Sequence, residues 1–248
     1  MQLDNYYYWW ESIFTPEECD KIIKLGKEKS LLNASTGGGR DAHNQNTNIP
    51  QNTKSTHQLK NEGIDISKVY IRKSKVAWLY DQWIYDKLWK IVTQSNKLAG
   101  WNFDVDYAED IQFTEYSDDG FYGFHQDGGS DRQSAYKRYI KGVTPIEMIE
   151  GNLPDGYVSG KKNGEWIGKN RKLSVTVNLS DPNTYEGGDL MFDAGEHAED
   201  GVKEIIAKEI RPRGSVCIFP SFVPHCVTPV TKGVRHSLVM WSLGRAFR

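Results

Sequence analysis

Residues 172–180 read KLSVTVNLS: Leu173, Val175, Val177 and Leu179 fall on one parity, Ser174, Thr176 and Asn178 on the other. Successive side chains of an extended chain leave opposite faces, so this alternation predicts a strand with one apolar and one polar face. The pattern recurs downstream. Glu186-Gly187-Gly188-Asp189 marks a turn into DLMF, and KEIIAKEI, GSVCIFP and RHSLVMWSL follow, separated by Gly or Pro signals. Upstream the periodicity is helical. Thr15-Pro16-Glu17-Glu18 sets a helix start, with Thr as N-cap, Pro in the first position and Glu closing a capping box, and Cys19, Ile22 and Ile23 carry the helix to about Gly26. A second helix is predicted from about Asp81 to Leu98, with Ile84, Leu88, Ile91 and Val92 on one face. Two helices followed by several short strands predict an α+β chain with a jelly-roll core buttressed by N-terminal helices, as a single domain over residues 1–248.

Two stretches break the pattern. Residues 34–57 are rich in Gly, Asn and Thr and nearly free of large apolar side chains, which predicts a long loop of the kind that serves as a lid. Residues 131–170, with the turn KKNGEWIG, read as an inserted lobe with a hairpin.

Bulk properties exclude several classes. A net charge of −2 supplies no basic field for nucleic acid or anionic lipid. The 3 cysteines, Cys19, Cys217 and Cys226, form neither a disulfide framework nor a CxxC motif, and Cys217 reads as a buried small hydrophobe in VCIF. With no signal-like N-terminus and no apolar run approaching a membrane span, the expectation is a cytoplasmic protein without a membrane partner.

FYGFHQDGG places His125 and Asp127 two apart, and on a strand such residues share a face. His225, in PSFVPHCVTPV, is the candidate third ligand, in a turn stiffened by prolines. Two imidazoles and one carboxylate cover one face of an octahedral ion and leave three positions open, which suits iron holding a bidentate co-substrate and O₂. The trio alone also suits catalytic zinc. Ten residues on, Arg235 heads a strand whose face carries Ser237, Val239 and Trp241. Buried there, its planar fork needs an anion and matches a carboxylate, although a one-residue slip would turn it outward. His236 falls on the opposite face and reads as structural.

With HxD, a distal His and a basic residue ten further on, the sequence resembles the Fe(II)/2-oxoglutarate-dependent dioxygenases of the prolyl 4-hydroxylase-like group, including its bacterial relatives. The likeness runs over roughly residues 70–248, through VTVNLSDPNTYEGGDLMF and RPRGSVCIFPSFVPHCVTPVTKGVRHSLVMW. It implies a double-stranded β-helix, and His125, Asp127 and His225 as the iron ligands. It also implies Fe(II), 2-oxoglutarate and O₂ as cofactor and co-substrates, with ascorbate as reductant. Arg235 and Tyr116 would bind 2-oxoglutarate, and Tyr122, Arg171 and Trp241 the substrate. Asn178 departs from the pattern, since several relatives carry there a tyrosine bonded to the distal carboxylate. The implied reaction hydroxylates a proline in a peptide or protein, releasing succinate and CO₂. The retained carboxylate, Asp127, favours hydroxylation over halogenation. The same chemistry on a small molecule, a nucleobase or another side chain is the alternative, and a non-catalytic jelly-roll binding module is a third reading.

Overall fold

The computed structural model describes residues 5–34, 40–41, 70–128, 169–194 and 204–245. Helix α1 (Pro16–Glu28) begins as its sequence demands: the Glu18 amide donates to Thr15 Oγ1 at 3.2 Å and the Thr15 amide to Glu18 Oε2 at 2.8 Å. Glu18 also accepts from Lys87 at 2.6 Å, which ties α1 to helix α2 (Gln82–Leu98).

The strands of the described residues form two main sheets and a ribbon. The larger sheet runs β1 (Tyr8–Trp10), β13 (Val216–Pro220), β9 (Lys169–Asn178), β16 (Arg235–Arg245), β7 (Ile111–Tyr116), β5 (Lys75–Leu79) and β2 (Leu32–Asn33), with β6 (Tyr107–Ala108) added on β16. The smaller runs β12 (Glu204–Ile206), β11 (Leu190–Asp193), β14 (His225–Val227), β8 (Phe121–His125), β4 (Tyr70–Lys73) and β3 (Arg40–Asp41). β10 (Tyr185–Gly187) and β15 (Val230–Gly233) form the ribbon. All pairings are antiparallel except β3 with β4.

Strand parity places the two cores. Leu173, Val175 and Val177 of β9 join Leu238 and Met240 of β16 under α1 and α2, with Ile22, Ile84 and Leu88. The polar parity of β9 points the other way, and Asn178, Thr176 and Ser174 stand opposite Ser237, Val239 and Trp241 of β16. A second apolar cluster, with Phe192 and Val227 of one sheet against Cys217 and Phe219 of the other, packs the two sheets together. All three cysteines are buried and free.

The structure corrects parts of the sequence reading. Strands also precede the second helix: β1, β2, β4 and β5 lie in short segments whose alternation is too brief to register as periodicity. KEIIAKEI is one strand only at Glu204–Ile206, and Lys208–Ile210 is a 3-10 turn. Of the proposed 34–57 loop, Ala34 and β3 are described, and β3 pairs with β4. The rest of that loop, and the proposed lobe as far as residue 168, lie outside the described residues. Among the described residues no helix is long and apolar enough to cross a membrane.

Helix α1 lies close over the larger sheet at Gly26, where an added Cβ would sit 2.4 Å from the Phe113 ring. Gly26→Ala gains helix propensity yet overpacks a buried ring. The substitution is expected to lower stability by about 1–3 kcal/mol in urea unfolding.

Candidate metal centre

β8 ends at His125, and Asp127 lies beyond it in a bend, so a shared strand face is not what brings the pair together. The bend is fastened across the molecule, the Gly128 amide donating to the Ser221 carbonyl at 2.8 Å. His225 opens β14 directly opposite His125, and the two rings lie 4.3 Å apart at 52°. Asp127 Oδ1 is 3.6 Å from His125 Nε2, and Oδ2 is 3.4 Å from His225 Nε2. The three ligand atoms lie within 4.8 Å of one another, and no other His, Cys, Asp or Glu trio converges this way among the described residues.

Backbone carbonyls select the tautomers. His125 Nδ1 donates to Gly123 O at 2.8 Å and His225 Nδ1 to Val223 O at 3.0 Å. A carbonyl only accepts, so each Nδ1 carries the proton and each Nε2 turns its lone pair toward Asp127. Burial among Phe192, Phe219 and the other imidazole pushes His225 down to about 4. Burial also works to raise the Asp127 carboxyl, but the two histidines, whenever Nε2 is protonated, and Arg171 outweigh it and hold it well below the usual carboxylate range. Two neutral nitrogens and one ionised oxygen make a donor set suited to a divalent transition metal.

Arg235 is 3% exposed, and its Nη1 has no hydrogen-bond partner among the described residues. It pairs in register with Tyr116, its guanidinium 5.7 Å from that ring. Gly188, at φ +65°, lets the chain pass here: a Cβ would fall 2.8 Å from Arg235 Cδ. A buried fork with an open donor fits the far carboxylate of a dicarboxylate such as 2-oxoglutarate, so these residues fit the group the sequence implies. Asn178 is occupied elsewhere, donating to Arg211 O at 2.6 Å and Ser180 O at 3.1 Å.

The remaining candidates also gather here. His225 opposes His125 while Val227 opposes Tyr122, so β8 carries one extra residue, a bulge. The bulge turns Tyr122 to the same side as His125, and their rings stack at 3.5 Å. Arg171 is held by both oxygens of Glu109, lies 3.9 Å over the Trp241 ring and reaches the Asp127 carbonyl at 3.5 Å. The structure adds residues not singled out from sequence. Arg72 sits 4.5 Å from the Tyr122 ring and donates to Ser74 and Gln112, both at 2.8 Å. Ser174 donates to Asp127. The polar parity of KLSVTVNLS already marked Ser174, whereas Arg72 and Glu109 sit in segments with no local signature.

Two apposed, mainly antiparallel sheets, a two-His, one-Asp trio and a buried arginine whose Nη1 has no partner among the described residues describe a β-fold with a candidate metal centre and a candidate anion seat. Residues 155–243 match the family model of the 2OG-Fe(II) oxygenase superfamily, a stretch that includes His225 and Arg235 but begins after His125 and Asp127. A PKHD-type hydroxylase of Klebsiella pneumoniae is 38% identical over 108 residues, 43% of this chain and 41% of that protein. The PKHD-type hydroxylase YbiX of Escherichia coli is 39% identical over 89 residues, 35% of this chain and 34% of its own length. The chain therefore spans well under half the length of these curated relatives. In fold, a viral collagen prolyl hydroxylase from Paramecium Bursaria Chlorella virus-1 covers 97% of each chain at a TM-score of 0.54 and 16% identity. A Trichoplax adhaerens prolyl hydroxylase, solved with a hypoxia inducible factor peptide fragment, covers 96% of this chain and 84% of its own at 0.56 and 13% identity. In sequence the chain is similar to the 2OG-Fe(II) oxygenase superfamily over residues 155–243 and to PKHD-type hydroxylases over a shorter stretch than half its length, and its fold resembles that of solved prolyl hydroxylases.

Mn²⁺, added as a redox-silent probe, is expected to raise the melting temperature of the wild-type chain. His225→Ala and Asp127→Ala should each abolish that shift, because ligand binding stabilises only the state that holds the site. A shift that survives both substitutions places the ion elsewhere.

Proposed function

We propose that this chain is one double-stranded β-helix domain acting as an Fe(II)- and 2-oxoglutarate-dependent dioxygenase that hydroxylates peptidyl proline, releasing succinate and CO₂. The observation that carries the reading is the joint presence of the His125–Asp127–His225 trio and a buried Arg235 whose Nη1 has no partner among the described residues. Zinc hydrolases need the trio but have no need of a carboxylate seat beside it. The fold neighbours that act on proline, one of them solved with a peptide, support the substrate class.

Bound iron, with 2-oxoglutarate and O₂, supplies the oxidising power; the chain supplies ligands, orientation and exclusion of water. His125, Asp127 and His225 would hold the ion from one side. Arg235 would take the far carboxylate of 2-oxoglutarate, with Tyr116 flanking it. Tyr122, Arg171 and Trp241 form an aromatic and cationic wall beside the ligands. In our reading this wall receives the peptide, the flat rings packing on the prolyl ring and Arg171 facing a backbone carbonyl. We further propose a cytoplasmic enzyme that uses ascorbate as reductant and takes neither nucleic acid nor membrane as partner.

Arg235→Leu leaves the far carboxylate without its partner, and 2-oxoglutarate binding to the Mn²⁺-loaded protein should weaken by about 3–5 kcal/mol in calorimetry. Unchanged affinity removes Arg235 from the anchor. For the substrate, incubation of a proline-containing peptide library with enzyme, Fe(II), 2-oxoglutarate and ascorbate should yield peptides heavier by one oxygen on proline, with matching succinate. Succinate formed with no oxygen on proline sends the chemistry to another substrate.

A further inference from the structure

The carboxylate ligand is the one member of the trio that no strand holds. Asp127 follows β8 in its bend, and among the described residues a hydrogen bond reaches its carboxylate from the opposite sheet, where Ser174 Oγ on β9 lies 2.8 Å from Oδ2. Ser174 Oγ is in turn 2.9 Å from Ser221 Oγ. Both serines are 0% exposed.

Hydrogen-bond chemistry sets the direction of this chain. The ionised carboxylate only accepts, so Ser174 must give it its single proton. Ser174 Oγ then faces Ser221 as an acceptor, and Ser221 must donate. The relay therefore runs Ser221 to Ser174 to Asp127, each bond polarising the next in a water-poor setting. Its backbone frame is fixed as well: Ser221 donates its amide to Lys172 O at 2.9 Å and accepts at its carbonyl from Gly128 at 2.8 Å. A Cβ at Gly128 would lie 2.9 Å from Ser221 Cβ, so the two segments are in close contact. Ser221 begins the turn that delivers His225.

We propose that Ser174 and Ser221 are positioning residues that lock the plane of the Asp127 carboxylate and thereby set how tightly the centre holds its ion. This rests on reading the trio as a metal centre. The two hydroxyls join three separate segments, the bend after β8, strand β9 and the turn before β14, at the one ligand of the trio that lies outside a strand. A buried serine pair with only a structural role would satisfy its own polar atoms and leave ion affinity untouched.

The wild-type chain, Ser174→Ala, Ser221→Ala, Ser174→Thr and the double alanine variant are titrated with Co²⁺, which reports on ligand geometry through its visible d–d bands. Ser174→Ala should bind Co²⁺ about 10–100-fold more weakly, the cost of losing a group that orients a metal ligand, with an altered spectrum. Ser174→Thr, which keeps the hydroxyl, should restore most of the affinity. Ser221→Ala should weaken binding less, and the double alanine variant should be no weaker than Ser174→Ala, as expected of a relay acting as one unit. Wild-type affinity and spectrum in Ser174→Ala overturn the proposal; should that variant fail to fold, the same result in Ser221→Ala does so. Absence of Co²⁺ binding in the wild type overturns the metal reading itself, a separate outcome.

Discussion

The site hangs on a single backbone pairing, that of His225 with His125 across β14 and β8. An antiparallel pair sets opposite side chains a few ångströms apart, so this register alone brings two imidazoles to one point. The carbonyls of Gly123 and Val223 then turn both rings the same way, Nε2 outward. A slip of one residue would send one ring to the far face and dissolve the site. The bulge that accompanies this pairing does further work by bringing Tyr122 onto the His125 ring.

Around that pairing the charges are arranged unequally. Three arginines lie against aromatic rings, Arg72 at Tyr122, Arg171 at Trp241 and Arg235 at Tyr116. Arg171 has a carboxylate partner in Glu109, and Arg72 has Ser74 and Gln112. Arg235 keeps an Nη1 with no partner among the described residues. Leaving a buried donor open costs stability, and the cost is tolerable where a ligand supplies the missing acceptor. Asp127 presents the mirror case, a buried carboxylate kept ionised by the groups that converge on it. In the proposed function Arg235 would take the dicarboxylate and Asp127 would help hold the cation.

Much of this was legible in the sequence because it depends on parity and spacing. The alternation of KLSVTVNLS gave β9 and both of its faces, and the run from Arg235 to Trp241 gave the inward face of β16. Capping chemistry located α1 to the residue at its start. What escaped depends on tertiary pairing. The HxD spacing suggested a common strand face, whereas Asp127 comes round in a bend held by the Gly128–Ser221 contact and by Ser174. Arg72 and Glu109 contribute to the site from short segments, and their partners Gln112 and Arg171 are 40 and 62 residues away, distances over which no local pattern speaks. Asn178 was identified as a departure, and the structure gives its occupation: it ties β9 to the Arg211 carbonyl.

The central claim is that the trio and Arg235 together seat 2-oxoglutarate on a ferrous ion. Mixing the protein anaerobically with Fe(II) and 2-oxoglutarate and recording the visible spectrum tests it most directly. A weak charge-transfer band that needs both additions and is lost in Asp127→Ala is expected. A wild-type spectrum with no such band, at concentrations where Fe(II) is shown to be bound, would contradict it.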